Sequence, residues 1–372
     1  FQGTPWLLSD SQLFISGGSG TSTIAMPNRV SRVIPRRTEP IIYDETSGVD
    51  IPSMGARGIK CCDAVVHGGN VLVTWGDHAS WGFSVRTPAG AILKQGWMYS
   101  TENHRTLELG ADYSLIIASR RGIVGASSVL VAHQISKQTQ DLLPNAPTLG
   151  TMFSSDSAFD AYTSDVASST WYLVFQSSAT DLTVKRYVGI TETHTSSFSA
   201  AGVVQNVVIC VGSFGVYLAY VDSAGDTYHA SLDATLAAVA GPSSLRSGSS
   251  AGAGGRWEGQ IGAMPYSATQ AFIVLSGIDT TAGNNSRVCR SGLVNVNGGV
   301  SVSVTSLSKF SHFALASQPF FLGVRPCAWF ATDSDLPAFD AAGAILDAPA
   351  GSGWTNQRPY WLLDLLGTDG VL

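Results

Sequence analysis

Ser250 lies at the centre of Gly-Ser-Ser-Ala-Gly, residues 248–252, which has the Gly-x-Ser-x-Gly spacing of a nucleophile elbow. An elbow activates its serine through a strained turn between a strand and a helix. Here the match falls inside residues 243–255, a stretch dominated by Ser, Gly and Ala where such spacing arises from composition, and no nucleophile is assigned. Seven histidines (His67, His78, His104, His133, His194, His229 and His312) are scattered along the chain without an i, i+4 pair, and Asp77 beside His78 is the nearest approach to metal-ligand spacing. Two acidic clusters, Asp156 with Asp160 and Asp165, and Asp333 with Asp335 and Asp340, have the residue type that binds calcium in loops. Both lack the Asp-x-Asp-x-Asp-Gly run and closing Glu of such a loop, so they read as solvated turn residues bonding their own backbone. The expectation is a non-enzyme with no catalytic residue, no cofactor and no metal.

Composition narrows the class further. A net charge of -6 argues against the broad basic footprint of a free nucleic-acid binder. The densest basic run, Arg29, Arg32, Arg36 and Arg37, reads as a solvated loop or an interface rim, with a nucleic-acid path as the other reading. Five cysteines (Cys61, Cys62, Cys210, Cys289 and Cys327) are an odd count with no Cys-x-x-Cys spacing, which fits reduced core residues of a chain made in a cytoplasm. No run of about 18 apolar residues exists to span a membrane. The chain starts at Phe1 with no initiator Met or signal peptide, as a processed piece of something longer would.

The elements that must position these residues are strands. Hydrophobic content of 44%, 40 Gly and charged content of 13% with six Glu point to short strands and tight turns rather than helices. The clearest unit is Asn-Val-Leu-Val-Thr-Trp at 70–75, a polar turn, Gly-Phe-Ser-Val-Arg at 82–86, then Pro-Ala-Gly at 88–90 and Ala-Ile-Leu at 91–93. Gly-Val-Tyr-Leu-Ala-Tyr at 215–220, followed by Asp-Thr-Tyr-His-Ala at 226–230, repeats it. Extending the pattern gives blocks at about 6–47, 59–97, 105–143, 148–199, 203–240, 256–304 and 312–366. In the third block the fourth strand is expected near 138–142, and in the fifth near 235–236. Residues 339–346 in the last block read as a short helix or a strand.

Blocks of four short antiparallel strands without helical insertions describe one all-β domain, a β-propeller of seven blades, or six if the first and last blocks share a sheet. Radial repetition buries both faces of each small sheet and leaves short edges. Residues 13–16, pairing with the final block, would close the ring. A sialidase-type propeller needs Ser-x-Asp-x-Gly-x-x-Trp boxes, and the nearest stretch, residues 221–228, has the Asp-to-Gly spacing one residue too long and Tyr228 in place of Trp. No Trp-Asp pair closes a block as in WD repeats. Trp75, Trp171 and Trp329 fall inside strands and read as packing residues between blades. Trp81, Trp97, Trp257 and Trp354 fall in turns or at strand ends and, with Arg36 and Arg37, are the candidate partner contacts.

The blade at 70–93 resembles propeller repeats in virion proteins of tailed bacteriophages. The closing segment, Gly-Val-Arg-Pro-Cys-Ala-Trp-Phe at 323–330 followed by Gln-Arg-Pro-Tyr-Trp-Leu-Leu-Asp-Leu at 357–365, resembles the end of the propeller in the tail nozzle proteins of short-tailed phages. That resemblance implies a structural virion protein without catalytic residues: a homohexamer at the tail tip, forming a conduit for DNA ejection beneath the adaptor and flanked by fibres or spikes. Passing contact with DNA, assembly in the host cytoplasm and residence in the virion tail follow from the same likeness. Loops at 49–57 and 242–255 are the expected contacts within the ring. The alternative is a carbohydrate-binding or carbohydrate-cleaving propeller, which predicts a pocket lined by Trp or Tyr with a few Asp, Arg or His.

Overall fold

The structure, a computed structural model, describes residues 61–76, 80–89, 91–99, 104–121, 128–154, 158–246, 261–279 and 286–296, together with isolated strands before and after them; side chains are described only within residues 63–296. Among these residues the strands form seven antiparallel sheets in chain order. Sheet one holds β1 (Leu7–Leu8), β2 (Gln12–Gly17) and β3 (Gly20–Ala25). Sheet two holds β4 (Arg29–Val30), β5 (Cys61–His67), β6 (Asn70–Gly76), β7 (Ser80–Arg86) and β8 (Ile92–Tyr99). Sheet three is β9 (His104–Leu109), β10 (Tyr113–Arg121), β11 (Ser128–Ser136) and β12 (Thr148–Met152). Sheet four is β13 (Phe159–Asp165), β14 (Thr170–Gln176), β15 (Asp181–Val188) and β16 (Thr191–Ser199). Sheet five is β17 (Val204–Gly212), β18 (Gly215–Asp222), β19 (Thr227–Leu232) and β20 (Ala238–Arg246). Sheet six is β21 (Ile261–Pro265), β22 (Gln270–Asp279), β23 (Ser286–Asn295) and β24 (Thr305–Phe310). Sheet seven gathers β25 (Phe313–Leu315), β26 (Phe320–Leu322), β27 (Arg325–Thr332), β28 (Ile345–Asp347) and β29 (Tyr360–Asp364).

Contacts between sheets make this a β-propeller. β5 of sheet two and the first strands of sheets three to six touch in succession, β5 to β9, β9 to β13, β13 to β17 and β17 to β21. Sheets three to six therefore turn their first strands inward and their last strands outward.

Burial explains why the middle strands read as unbroken apolar runs. Every residue of β14 is buried, and its alternate side chains enter two different cores. Trp171, Leu173 and Phe175 pack with Leu107, Leu115 and Ile117 of sheet three. Tyr172 and Val174 pack with Val207, Ile209 and Leu218 of sheet five. The same division recurs between sheets two and three around Leu72, Val85 and Ile116, and between sheets five and six around Tyr217, Ala219 and Ile273. Outermost β16, Thr-Glu-Thr-His-Thr-Ser-Ser-Phe-Ser, has alternating exposure because one face has no sheet beyond it.

Turn chemistry sets the registers. His67 pairs with Asn70 across Gly68 and Gly69, whose φ values of 60° and 81° make the two-residue hairpin that β-carbons disfavour. Gly215 opens β18 at φ 95°, and a β-carbon there would lie 2.5 Å from the Leu232 carbonyl oxygen.

Several expected strands sit elsewhere. The fourth strand of sheet three is β12, not 138–142; that segment is a turn carrying one isolated bridge, Ile135 to Leu142. Pro144 and Pro147 lack the amide hydrogen a ladder needs, so pairing resumes at Thr148. Residues 235–236 belong to a turn, because the Asp233 carboxylate gathers the amides of Thr235 and Ala237, and β20 starts two residues later. The stretch read as a loop from 243 is strand as far as Arg246. Arg29–Val30 pairs with β5 rather than within the first sheet, and β2 pairs with β1 and β3 rather than with the final sheet. Ile345–Asp347, in the segment left between helix and strand, is a strand.

Candidate functional site

One position on the inner strands carries most of the buried charge. In β5, β9 and β13 it is Asp63, Arg105 and Asp160, and each side chain reaches the next sheet. Asp63 Oδ2 accepts the Thr106 amide of β9 at 2.7 Å, while its Oδ1 accepts the Ala64 amide at 3.0 Å. Arg105 Nε donates to Asp160 Oδ1 at 2.6 Å, both side chains being at most 4% exposed. Asp160 Oδ2 accepts the Ile209 amide of β17 at 3.1 Å. The register is the same in the two Asp cases: the accepted amide belongs to the residue after the equivalent position in the next sheet. These groups tie sheets two, three, four and five into one ring segment.

His67, at the end of β5, makes a further tie. Its Nε2 donates to the Ser136 carbonyl at 3.2 Å, which leaves Nδ1 of the neutral ring to accept the Ser114 hydroxyl at 2.9 Å. Burial, with a smaller push from the Lys137 ammonium, holds its pKa down to about 4 against an ordinary 6.5.

Among the described residues, a cleft of about 490 Å³ lies between sheets four and five. Its walls are the β13–β14 turn with Asp165 and Ser168, the side chains of Tyr172 and Arg186, the β17–β18 turn with Ser213 and Phe214, and Asp233 of the β19–β20 turn. Arg186 hydrogen-bonds Tyr172 and sets its Nη1 3.5 Å from His194 Nδ1. Its Nε is buried and has no hydrogen-bond partner among the described residues. Asp233 Oδ1 takes the Thr235 hydroxyl at 2.7 Å and the amides of Thr235 and Ala237 at 2.7 and 3.0 Å. Those bonds lower its pKa, led by the hydroxyl, and bonds from Ser168 do the same for Asp165. Burial raises the Tyr172 pKa, against the opposing charge of Arg186. The cleft can therefore present anionic acceptors, a cationic donor and apolar lining together.

Val166 and Ile190, in the β13–β14 and β15–β16 turns, and Val188, the last residue of β15, are exposed. The Gly189 amide donates to the Ser169 carbonyl at 2.9 Å and holds these two turns side by side.

Most of the expected partner contacts fall outside the described residues. Trp257, Trp354, Arg36 and Arg37 lie outside the described residues, as do residues 49–57 and 248–252. Trp81 and Trp97 are placed by backbone alone; both stand within strands, β7 and β8, in a register that pairs Gly82 with Trp97. Trp171 packs between blades as read: it is fully buried, stacks on Tyr187 with centroids 4.3 Å apart, and donates Nε1 to the Gly189 carbonyl at 2.6 Å. Cys210 is a buried core residue of β17. Asp160, read as a solvated turn residue, is instead 2% exposed in the ring of inner strands; Asp165 ends β13, exposed, and its Oδ1 accepts the Ala167 amide of the following turn at 2.9 Å. The near-miss to an Asp box is a turn in which Asp222 Oδ1 accepts the amides of Ala224 and Asp226, both at 2.9 Å. Among the described residues, no three His, Cys, Asp or Glu side chains converge as a metal site, and no helix is long and apolar enough to cross a membrane.

No family model matches the chain, and no curated protein matches it. Solved structures similar to it include the Dos1 propeller, at 10% identity and TM-score 0.46, covering 86% of this chain and 72% of that one. A prolyl endopeptidase structure is similar at 12% identity and TM-score 0.48, with 97% of this chain spanning 47% of the longer protein. The WD40 domain of SCAP from fission yeast is similar at 8% identity and TM-score 0.40, covering 80% and 82%. Likeness at these levels has no weight for activity, ligand or assembly.

Sequence reading missed Tyr172, Arg186 and Asp233 as neighbours. Asp-Ala-Thr at 233–235 was legible as a turn, but nothing along the chain signals that Arg186, 47 positions earlier, lines the same cleft.

Proposed function

We propose that the chain is a structural component of a bacteriophage tail, a nozzle or tail-tip propeller that lines or surrounds the DNA exit channel. It works as an oligomer, a homohexamer in the nozzle arrangement, held in the virion by neighbouring tail proteins such as adaptor and fibres or spikes. The observation that supports a scaffold is where the interior polar groups go: Asp63, Arg105, Asp160 and His67 join one blade to the next. The likeness of residues 70–93, 323–330 and 357–365 to virion propellers supplies the phage context. Exposed Val166, Val188 and Ile190 are contact candidates for a neighbour, beside the tryptophans read from sequence. Electron microscopy of the native particle tests the proposal through copy number and symmetry. Sixfold symmetry around a DNA channel is the expected result; a stable monomer that binds no tail component overturns it.

A carbohydrate-binding propeller is the second reading, favoured by the cleft between sheets four and five. Cleavage of a glycan is less favoured, because a glycosidase pair needs one carboxyl held protonated, and both cleft carboxyls are shifted the other way.

A further inference from the structure

We propose that the cleft between sheets four and five binds a neutral saccharide, with Arg186 as a donor and Asp233 as an acceptor towards its hydroxyls. The inference rests on the second, carbohydrate-binding reading and gives it a place and a ligand class. Three observations carry it.

The first is unsatisfied hydrogen-bonding capacity. The Arg186 guanidinium lines the cleft, with its Nη1 only 3.5 Å from His194 Nδ1, a long and weak contact. The three described bonds to Asp233 all fall on Oδ1, so its Oδ2 makes none of them. A polyol, whose hydroxyls both donate and accept, suits a cleft lined by both a guanidinium donor and a carboxylate acceptor.

The second is charge. Asp165 and Asp233 against Arg186 leave the cleft with a formal excess of one negative charge. An anionic ligand would meet two carboxylates whose pKa values are lowered, so the neutral class is preferred over phosphate or an acidic sugar.

The third is shape. About 490 Å³ lies within the range of roughly 300–1,000 Å³ typical of small-molecule sites, and Tyr172 and Phe214 provide apolar lining for the C–H faces of a sugar.

Saturation-transfer NMR with D-galactose, D-mannose, L-rhamnose and N-acetyl-D-glucosamine, and with N-acetylneuraminic acid as the anionic probe, tests it on three proteins. These are the wild-type chain, Arg186→Gln, and Ser213→Trp, which blocks the cleft from an exposed turn position and keeps the test readable if Arg186→Gln does not fold. At least one neutral sugar is expected to bind, at least tenfold more weakly in each folded variant, with melting temperatures confirming the fold. Neutral-sugar binding that is unchanged in Ser213→Trp overturns the cleft while leaving the carbohydrate reading standing. Absence of neutral-sugar binding to the wild type overturns the proposal, and a blank glycan array as well removes the second reading. Tighter binding of N-acetylneuraminic acid than of any neutral sugar, lost in the variants, overturns the ligand class.

Discussion

Asp160 joins three blades through one carboxylate, taking the Arg105 guanidinium on one oxygen and the Ile209 amide on the other. Asp160→Asn keeps an acceptor for the amide but strands a buried cation beside it. The expected loss is about 3–5 kcal/mol in urea unfolding, because removing one partner of a buried pair leaves the other uncompensated. Asp63→Asn, which weakens the charged acceptor of the Thr106 amide, should lose about 1–3 kcal/mol. His67 predicts a pH dependence. Its folded pKa of about 4 lies below the unfolded value of 6.5, so the unfolded chain binds more protons between those limits. Stability contributed by neutral His67 is then complete above pH 6.5 and is lost as pH falls towards 4, by on the order of 3 kcal/mol in total. Denaturation midpoints measured across that window should flatten in His67→Gln, and an equally steep variant would show that other groups dominate. The type of each residue was plain in the sequence, but not its role. Asp160 looked like a loop acid because its neighbours Asp156 and Asp165 suggested one cluster, whereas strand alternation turns it into the core.

Single strands divide by radial position. Leu173 in β14 has no exposed surface and meets cores on the sheet-three side, while Thr195 in β16 is exposed. Leu173→Ala should lose about 2–5 kcal/mol through lost contacts and a cavity. Thr195→Val should stay within about 0.5 kcal/mol, and urea unfolding of the two variants side by side checks the contrast. Middle strands were legible because two buried faces require an uninterrupted apolar run, as at 170–176 and 215–222. Outer strands were harder. β12 and β20 have mixed composition and follow connections whose geometry is set by Pro144 and Pro147 or by the Asp233 carboxylate, so their start points shifted.

At the scale of the whole molecule, the net charge of -6 bears on the proposed conduit role. Phosphate neutralisation needs clustered cations, so the isolated chain should give no retarded complex with duplex DNA in a gel-shift assay at physiological salt. A tight, salt-sensitive complex would point to a nucleic-acid binder rather than a channel wall that DNA passes. Architecture was readable from recurrence: four short strands, a turn vocabulary of Gly, Asp and Pro, and a repeat of the unit at 70–93 define a propeller, because such sheets bury both faces only by stacking around an axis. Those properties are local and periodic, so the amino-acid sequence determined them by itself. The tertiary structure alone decided which residues meet across blades. Asp63 with Thr106 and Arg105 with Asp160 lie 43 and 55 positions apart, and each meeting depends on the register and rotation of separate sheets. Nothing in the spacing along the chain encodes that rotation, which arises only when one blade packs against the next.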